Sequence, residues 1–183
     1  MNEPDKINLE TYKLLVRTIA ENPGIDVMGN QLCQLLVGAL GVKGATLFVL
    51  DPVRAELATL ASAGLSSAYT QKGPILVDAN IELRANRETV VISDTEASDQ
   101  LQYPQKAKAE GVRAIVSCPI TARTKIVGAL RLYNATPWGI SSADMIFLEL
   151  LAQPIGLALM HSIIATAVAA FMETVGVIHP VWL

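Results

Sequence analysis

The period of the hydrophobic positions changes several times along this chain, and each change marks an element. Over residues 5–21, Leu9, Tyr12, Leu15, Val16 and Ile19 recur at helical spacing, with Lys13 and Arg17 opposite. Asn22-Pro23-Gly24 stops that helix. A second helix is expected over about 26–40, with Asp26 as its cap and Gly41 at its end. The run Ala45–Leu50 then reads as a buried strand closed by Asp51-Pro52, and Glu56–Ser62 as an antiparallel partner. Residues 66–88 are less regular, with a short strand at 73–77 and a short helix around 78–86. Thr89–Ile92 is a strand, 101–110 a helix with Pro104 early and Gly111 as its stop. Strands at 112–119 and 124–133 flank the turn Thr121-Ala122-Arg123. A last helix begins near 142 behind Ser141 and Asp144, spaced as in a capping box, and runs at least to 160 and on toward 175. This order predicts an α+β domain: a mainly antiparallel sheet of about six strands, with the terminal helices over one face.

Composition narrows the function. Of 183 residues, 51% are hydrophobic and 17% charged, which excludes a disordered chain. A net charge of −3 and only three Phe, two Trp and four Tyr speak against a nucleic-acid surface. Cys33 and Cys118 have no Cys or His close in sequence, so they read as buried thiols in a reducing compartment, and a metal site is not expected. The polar Met1–Lys6 start lacks the pattern of a secretory leader. A cytoplasmic location follows as the expectation.

In order and spacing, several segments resemble the GAF domain family. They are Gly44–Asp51, Leu60–Leu65, Glu88–Asp94, Glu110–Ile120, Ile126–Tyr133 and Leu150–Gln153. The resemblance spans about Asp26 to Leu159. It implies a sensory or regulatory small-molecule-binding module, dimeric through its terminal helices and coupled to an output domain or protein. Members that bind cyclic nucleotides carry Asn-Lys, Phe and Asp-Glu. Here the matching positions read Asn134-Ala135, Ile140 and Asp144-Met145, so that ligand class is not expected. Bilin attachment uses a Cys commonly followed by His, and no such pair occurs. The family's methionine-sulfoxide reductases need several cysteines near the pocket, and two distant ones argue against that chemistry.

By the same resemblance, a pocket lies between one sheet face and the segments 66–88 and 94–110. Strand alternation puts Thr46, Phe48 and Leu50 on one face. The expected ligand-binding set is Thr46, Phe48, Ser62, Ala63, Tyr69, Ile81, Asp94, Tyr103 and Ser117, an apolar cavity with a few hydroxyls and one carboxylate. Arg113 is expected exposed at a strand edge. Arg131 is placed on a face with Val127, Ala129 and Tyr133; either it reaches a carboxylate across the sheet or, the favoured reading, its stem reaches outward. No catalytic residue and no cofactor is assigned, and the reading is of a non-enzyme. The rivals are a structural dimerisation module whose own side chains fill the pocket, and an enzyme on the same fold.

Three segments are expected: an N-terminal helix over 1–24, the GAF-like domain over 25–160 and a helical extension over 161–183. Residues 150–172 carry no formal charge, a window long enough to cross a bilayer. Against a membrane span, its first part belongs to the domain's own helix, Gln153, Pro154, Gly156 and His161 interrupt it, and no Lys or Arg follows Arg131. The expectation is a soluble helix, kinked at Pro154, that packs into a homodimer.

Overall fold

The computed structural model describes residues 5–22, 24–76 and 88–178, with side chains as far as Thr174. The elements are α1 (Leu9–Glu21), α2 (Ile25–Leu40), β1 (Gly44–Asp51), β2 (Glu56–Ala63), α3 (Ser67–Thr70) and β3 (Ile75–Leu76), then β4 (Val90–Ile92), α4 (Pro104–Glu110), β5 (Ala114–Ala122), β6 (Lys125–Asn134) and α5 (Ser142–Ile178). The expected short helix around 78–86 lies outside the described residues. The six strands form one sheet in the order β3-β2-β1-β6-β5-β4, and every neighbouring pair is antiparallel.

Local chemistry sets the helix ends. Asn8 caps α1 by accepting from the Thr11 N–H at 2.9 Å. The cap of α2 is Gly24, which has no side chain to offer, and Asp26 sits inside the first turn rather than at the cap. Gly111 closes α4 in the left-handed region at φ 72°. Ser141 accepts from the Asp144 N–H at 3.1 Å, which is half of the expected capping box. The other half is diverted. The Asp144 carboxylate accepts from the Lys6 N–H at 2.9 Å and the Ile7 N–H at 2.7 Å, tying the chain that enters α1 to the start of α5.

The helices cover one face of the sheet. Leu32, Cys33 and Leu36 of α2 and Leu148, Leu151 and Ile155 of α5 pack there against Ala45, Leu47, Val116, Leu130 and Leu132. Close approach needs a small residue: a Cβ on Gly156 would lie 2.3 Å from the Thr121 carbonyl oxygen, so only glycine lets α5 meet β5 at that level. Val127 also faces this core, against the simple alternation. The register of β5 with β6 slips between Ile120 and Thr121, where two residues of one strand oppose one of the other, and the slip turns Val127 to the helix side. Helix α5 continues through Pro154, and its residues from Ile163 to Thr174 are exposed.

Candidate functional site

On the other face, a polar row crosses the sheet at one level. Ser62 pairs with Thr46, Thr46 with Arg131, and Arg131 with Ser117. The Thr46 and Ser62 hydroxyls lie 3.0 Å apart. Arg131 donates from Nε to the Ser117 Oγ at 3.0 Å, and its guanidinium stands 5.6 Å from the centre of the Phe48 ring. Arg131 is only 8% exposed, so it does not reach outward as its position on a strand suggested. Isolated buried guanidinium groups are costly, and this one is held by side chains on the two neighbouring strands, Ser117 on β5 and Phe48 on β1.

Above this row, α3 and the chain before β3 form one wall. Ser66 caps α3, and the Glu110 carboxylate holds that cap from α4, accepting from the Ser66 N–H at 2.9 Å and from its hydroxyl. Burial works against the Glu110 charge, but the Ser66 bonds and the nearby Lys43 and Lys72 outweigh it, and its carboxyl is held below the usual range. Tyr69 on α3 meets Tyr133 edge-on at 5.7 Å between ring centres. The Lys72 ammonium sits 3.9 Å from the centre of the Tyr69 ring and donates to the Tyr69 carbonyl. Burial, reinforced by the Arg131 charge, pulls Lys72 down to about 8. Burial also pushes the Tyr69 phenol upward.

The second wall is the chain before α4. Tyr103 donates its phenol to the Pro74 carbonyl at 2.8 Å, and Gln102 donates to the same oxygen at 2.9 Å. Gly73 holds φ 128° there, and a Cβ on it would lie 2.7 Å from the Tyr103 oxygen, so a glycine permits this closure. Between the walls lies a cavity of about 40 Å³, with Tyr69, Lys72, Tyr103 and Arg131 in its lining beside Ile75, Ile92 and Ile115. That is room for little more than one water, whose share of liquid volume is about 30 Å³.

The nine expected residues are therefore dispersed. Tyr69 and Tyr103 line the cavity. Thr46, Phe48, Ser62 and Ser117 sit on the sheet face beneath it, linked through Arg131 or to one another. Ala63 packs toward the helix-side core, on the wrong face for the cavity, because one residue of register reverses side-chain direction. Asp94 is not in the lining: Arg113 holds its carboxylate through Nη2, at 3.1 Å to each oxygen. Arg113 is consequently not a free edge residue but an ion-pair partner of Asp94 and Glu96. The Glu96 N–H and the Arg113 guanidinium hold the Asp94 carboxyl below its usual range. Ile81 lies outside the described residues. Sequence reasoning did not assign Lys72 or Arg131 to the site. A cation in mid-strand, at the level of Thr46 and Ser117, was the available signal.

Both thiols lie on the helix side. Burial pushes Cys33 up to about 12 and Cys118 up to about 11, so neither is a ready thiolate. No group of three or more His, Cys, Asp or Glu among the described residues is arranged to hold a metal ion.

A six-stranded antiparallel sheet with helices on one face and a small cavity under short connecting segments on the other defines one class of α+β domain. The GAF domain family model matches residues 25–159, and the chain belongs to that family. Among solved structures, it is similar to the GAF domain of a phosphoenolpyruvate-protein phosphotransferase from Coxiella burnetii, with TM-score 0.77 and 17% identity, covering 87% of this chain and 96% of that one. The corresponding Acinetobacter domain gives TM-score 0.74 at 17% identity, with the same coverage of both chains. A free methionine-R-sulfoxide reductase from Neisseria meningitidis, solved with its substrate, gives TM-score 0.72 at 16% identity and covers 90% of this chain and 99% of that one. No curated protein matches the chain in sequence. At these identities the structural likeness shows the fold.

Proposed function

We propose that this chain is a cytoplasmic sensory module that binds a small molecule on the open face of its sheet and passes the signal through the terminal helices of a homodimer. The observation that supports it is the convergence of Lys72, Arg131, Tyr69 and Tyr103 on one cavity, opposite the face that holds the fold together. Thr46, Phe48, Ser62 and Ser117 support that site from beneath. The ends of the chain frame the reading: the segments 1–24 and 161–183 carry the signal, and 25–160 is the ligand-binding domain. The output is a partner protein or a further domain, and the module itself is not an enzyme. The Neisseria structure shows that a chain of this fold can be a reductase, but here both cysteines stand on the opposite face of the sheet from the cavity.

A second reading is favoured by the cavity's volume of about 40 Å³, far below the ~300 Å³ at which ligand pockets begin. In it, Tyr69 and Tyr103 fill the site permanently and the module only dimerises. A metabolite screen by thermal shift separates the two, because a molecule that binds the folded state raises its melting temperature. The sensory reading expects at least one hit whose shift is lost in Lys72→Ala and Tyr103→Ala. It is abandoned if no compound shifts the melting temperature, or if hits keep full effect in both variants. Cyclic AMP and cyclic GMP are expected to give no shift.

A further inference from the structure

Lys72 keeps a positive charge in the cavity wall with no acid to answer it. The residue is half-buried just past α3, and its ammonium lies on the Tyr69 ring and donates to the Tyr69 carbonyl at 3.2 Å. Among the described residues no carboxylate pairs with it. Glu110, the acid nearby, is engaged by Ser66 and by Lys43 at 3.8 Å. Arg131 lines the same cavity, and its charge opposes that of Lys72. Little therefore holds this amine in its charged form, and it faces a small cavity rather than bulk water.

We propose that Lys72 is a carbamylation site, where carbon dioxide entering the cavity adds to the side-chain amine. The inference rests on the reading of this cavity as the sensory site and names its ligand, a dissolved gas held covalently and reversibly. The Nζ lone pair forms a bond to the carbon of carbon dioxide, one C=O π bond opens onto its oxygen, and a proton leaves Nζ for water. The products are a carbamate anion and one proton. Nothing is oxidised or reduced, and no further reactant is needed.

Size, polarity and charge select this electrophile. A cavity of about 40 Å³ is too small for a metabolite of the usual ~300 Å³ class, but it suits a molecule of three atoms, one of which becomes bonded to Nζ. Ile75, Ile92 and Ile115 in the lining suit a molecule without charge. Carbamylation then turns a cation beside Arg131 into an anion, so a repulsion becomes an attraction. An aldehyde would give a neutral or cationic imine and gain no such attraction. Burial and the Arg131 charge also leave about a tenth of Lys72 as free amine near pH 7, and the free amine is the form that reacts. The carbamate would leave the Tyr69 ring, whose face attracts cations and repels anions, and that departure is the change the module would pass on.

The test is chemical trapping on the full chain. At about pH 8 in ¹³C-bicarbonate, triethyloxonium converts any carbamate to a stable ester, which peptide mass spectrometry locates. The label at Lys72 is expected to exceed that at the exposed Lys13 and Lys125 at least about tenfold. Bicarbonate, against chloride at equal ionic strength, should shift the wild-type melting temperature and leave that of the Lys72→Arg chain unchanged. Label at Lys72 no higher than at Lys13 overturns the carbamate. So does a melting shift that formate reproduces in both chains without label, which makes the ligand a bound anion. If the label fails while a metabolite shift is lost in Lys72→Ala, the sensory reading stands without the carbamate. If no label and no such metabolite is found, both readings fall.

Discussion

The two faces of the sheet are built by alternate residues of the same strands, and they differ in kind. Ala45, Leu47, Val116, Leu130 and Leu132 point to the helices and are apolar without exception. Their neighbours Thr46, Ser117, Arg131 and Tyr133 point the other way and carry hydroxyls and a charge. The hydrophobic effect supplies the free energy of folding, and on this sheet most of the buried apolar side chains lie on the helix side. Among the described residues, the open face holds two small apolar clusters around its polar row. Stability and chemistry are thus separated by the thickness of one sheet, and the separation can be broken experimentally.

The largest expected effect is on the helix side. Leu36 is 0% exposed in the main core, and Leu36→Ala should cost about 2–5 kcal/mol in urea unfolding, from lost burial plus the cavity left behind. Tyr103→Ala on the open face removes one phenol-to-carbonyl bond at a partly exposed site and should cost about 1 kcal/mol. Equal losses in the two variants would mean that the open face is as structural as the helix face.

The next effect is on pH dependence, and it has a definite sign. The Lys72 pKa in the folded chain is about 8, below its ordinary 10.5, so the unfolded chain binds more protons between those values. The penalty of holding Lys72 charged is fully present below pH 8 and is relieved as pH rises from about 8 toward 10.5. Tyr69, pushed above its ordinary 10.0, acts oppositely, but only above that pH. Relative to wild type, Lys72→Met should therefore be most favourable near neutral pH and lose that advantage by about pH 10. A wild-type-minus-variant melting difference that stays flat from pH 7 to 10 would show that Lys72 is not desolvated by the cavity wall.

Much of this division was legible in the sequence, and unevenly. The helix-side core was readable because apolar residues at strand and helix periods leave few alternatives, and the short connection after β1 gave its antiparallel pairing with β2; the pairing of β1 with β6 is non-local and was not read. The open face was less so. Alternation put Thr46, Phe48 and Leu50 on one face, but the same alternation failed at Val127, because a bulge adds a residue that no local pattern announces. Arg131 was seen and assigned outward, since a lone cation on a strand ordinarily reaches water. Only the cross-strand register, a non-local fact, shows it between Thr46 and Ser117. Helix α5 offered the sequence only an uncharged window over 150–172, and burial alone shows that Leu148, Leu151, Ile155 and Leu159 face the sheet while Leu157, Ile164, Val168 and Phe171 are exposed.

The smallest effect sharpens the border of the open face. Asp94 was expected as a ligand group, and the structure gives it to Arg113 instead, with Glu96 as a second acceptor for the same guanidinium. A half-buried pair open to solvent adds little stability, and salt screens it. Asp94→Asn should leave ligand-induced thermal shifts intact and lower the melting temperature only slightly at pH 7, less so at high salt. The sign with pH follows from the lowered carboxyl pKa. The Asp94 contribution is present above its ordinary 3.8 and is lost as pH falls through the lower folded value, so wild type and variant should converge in acid. If Asp94→Asn instead abolishes a ligand shift while Arg113→Gln does not, the carboxylate serves the site directly. The cavity then extends beyond the lining drawn by Tyr69, Lys72 and Tyr103.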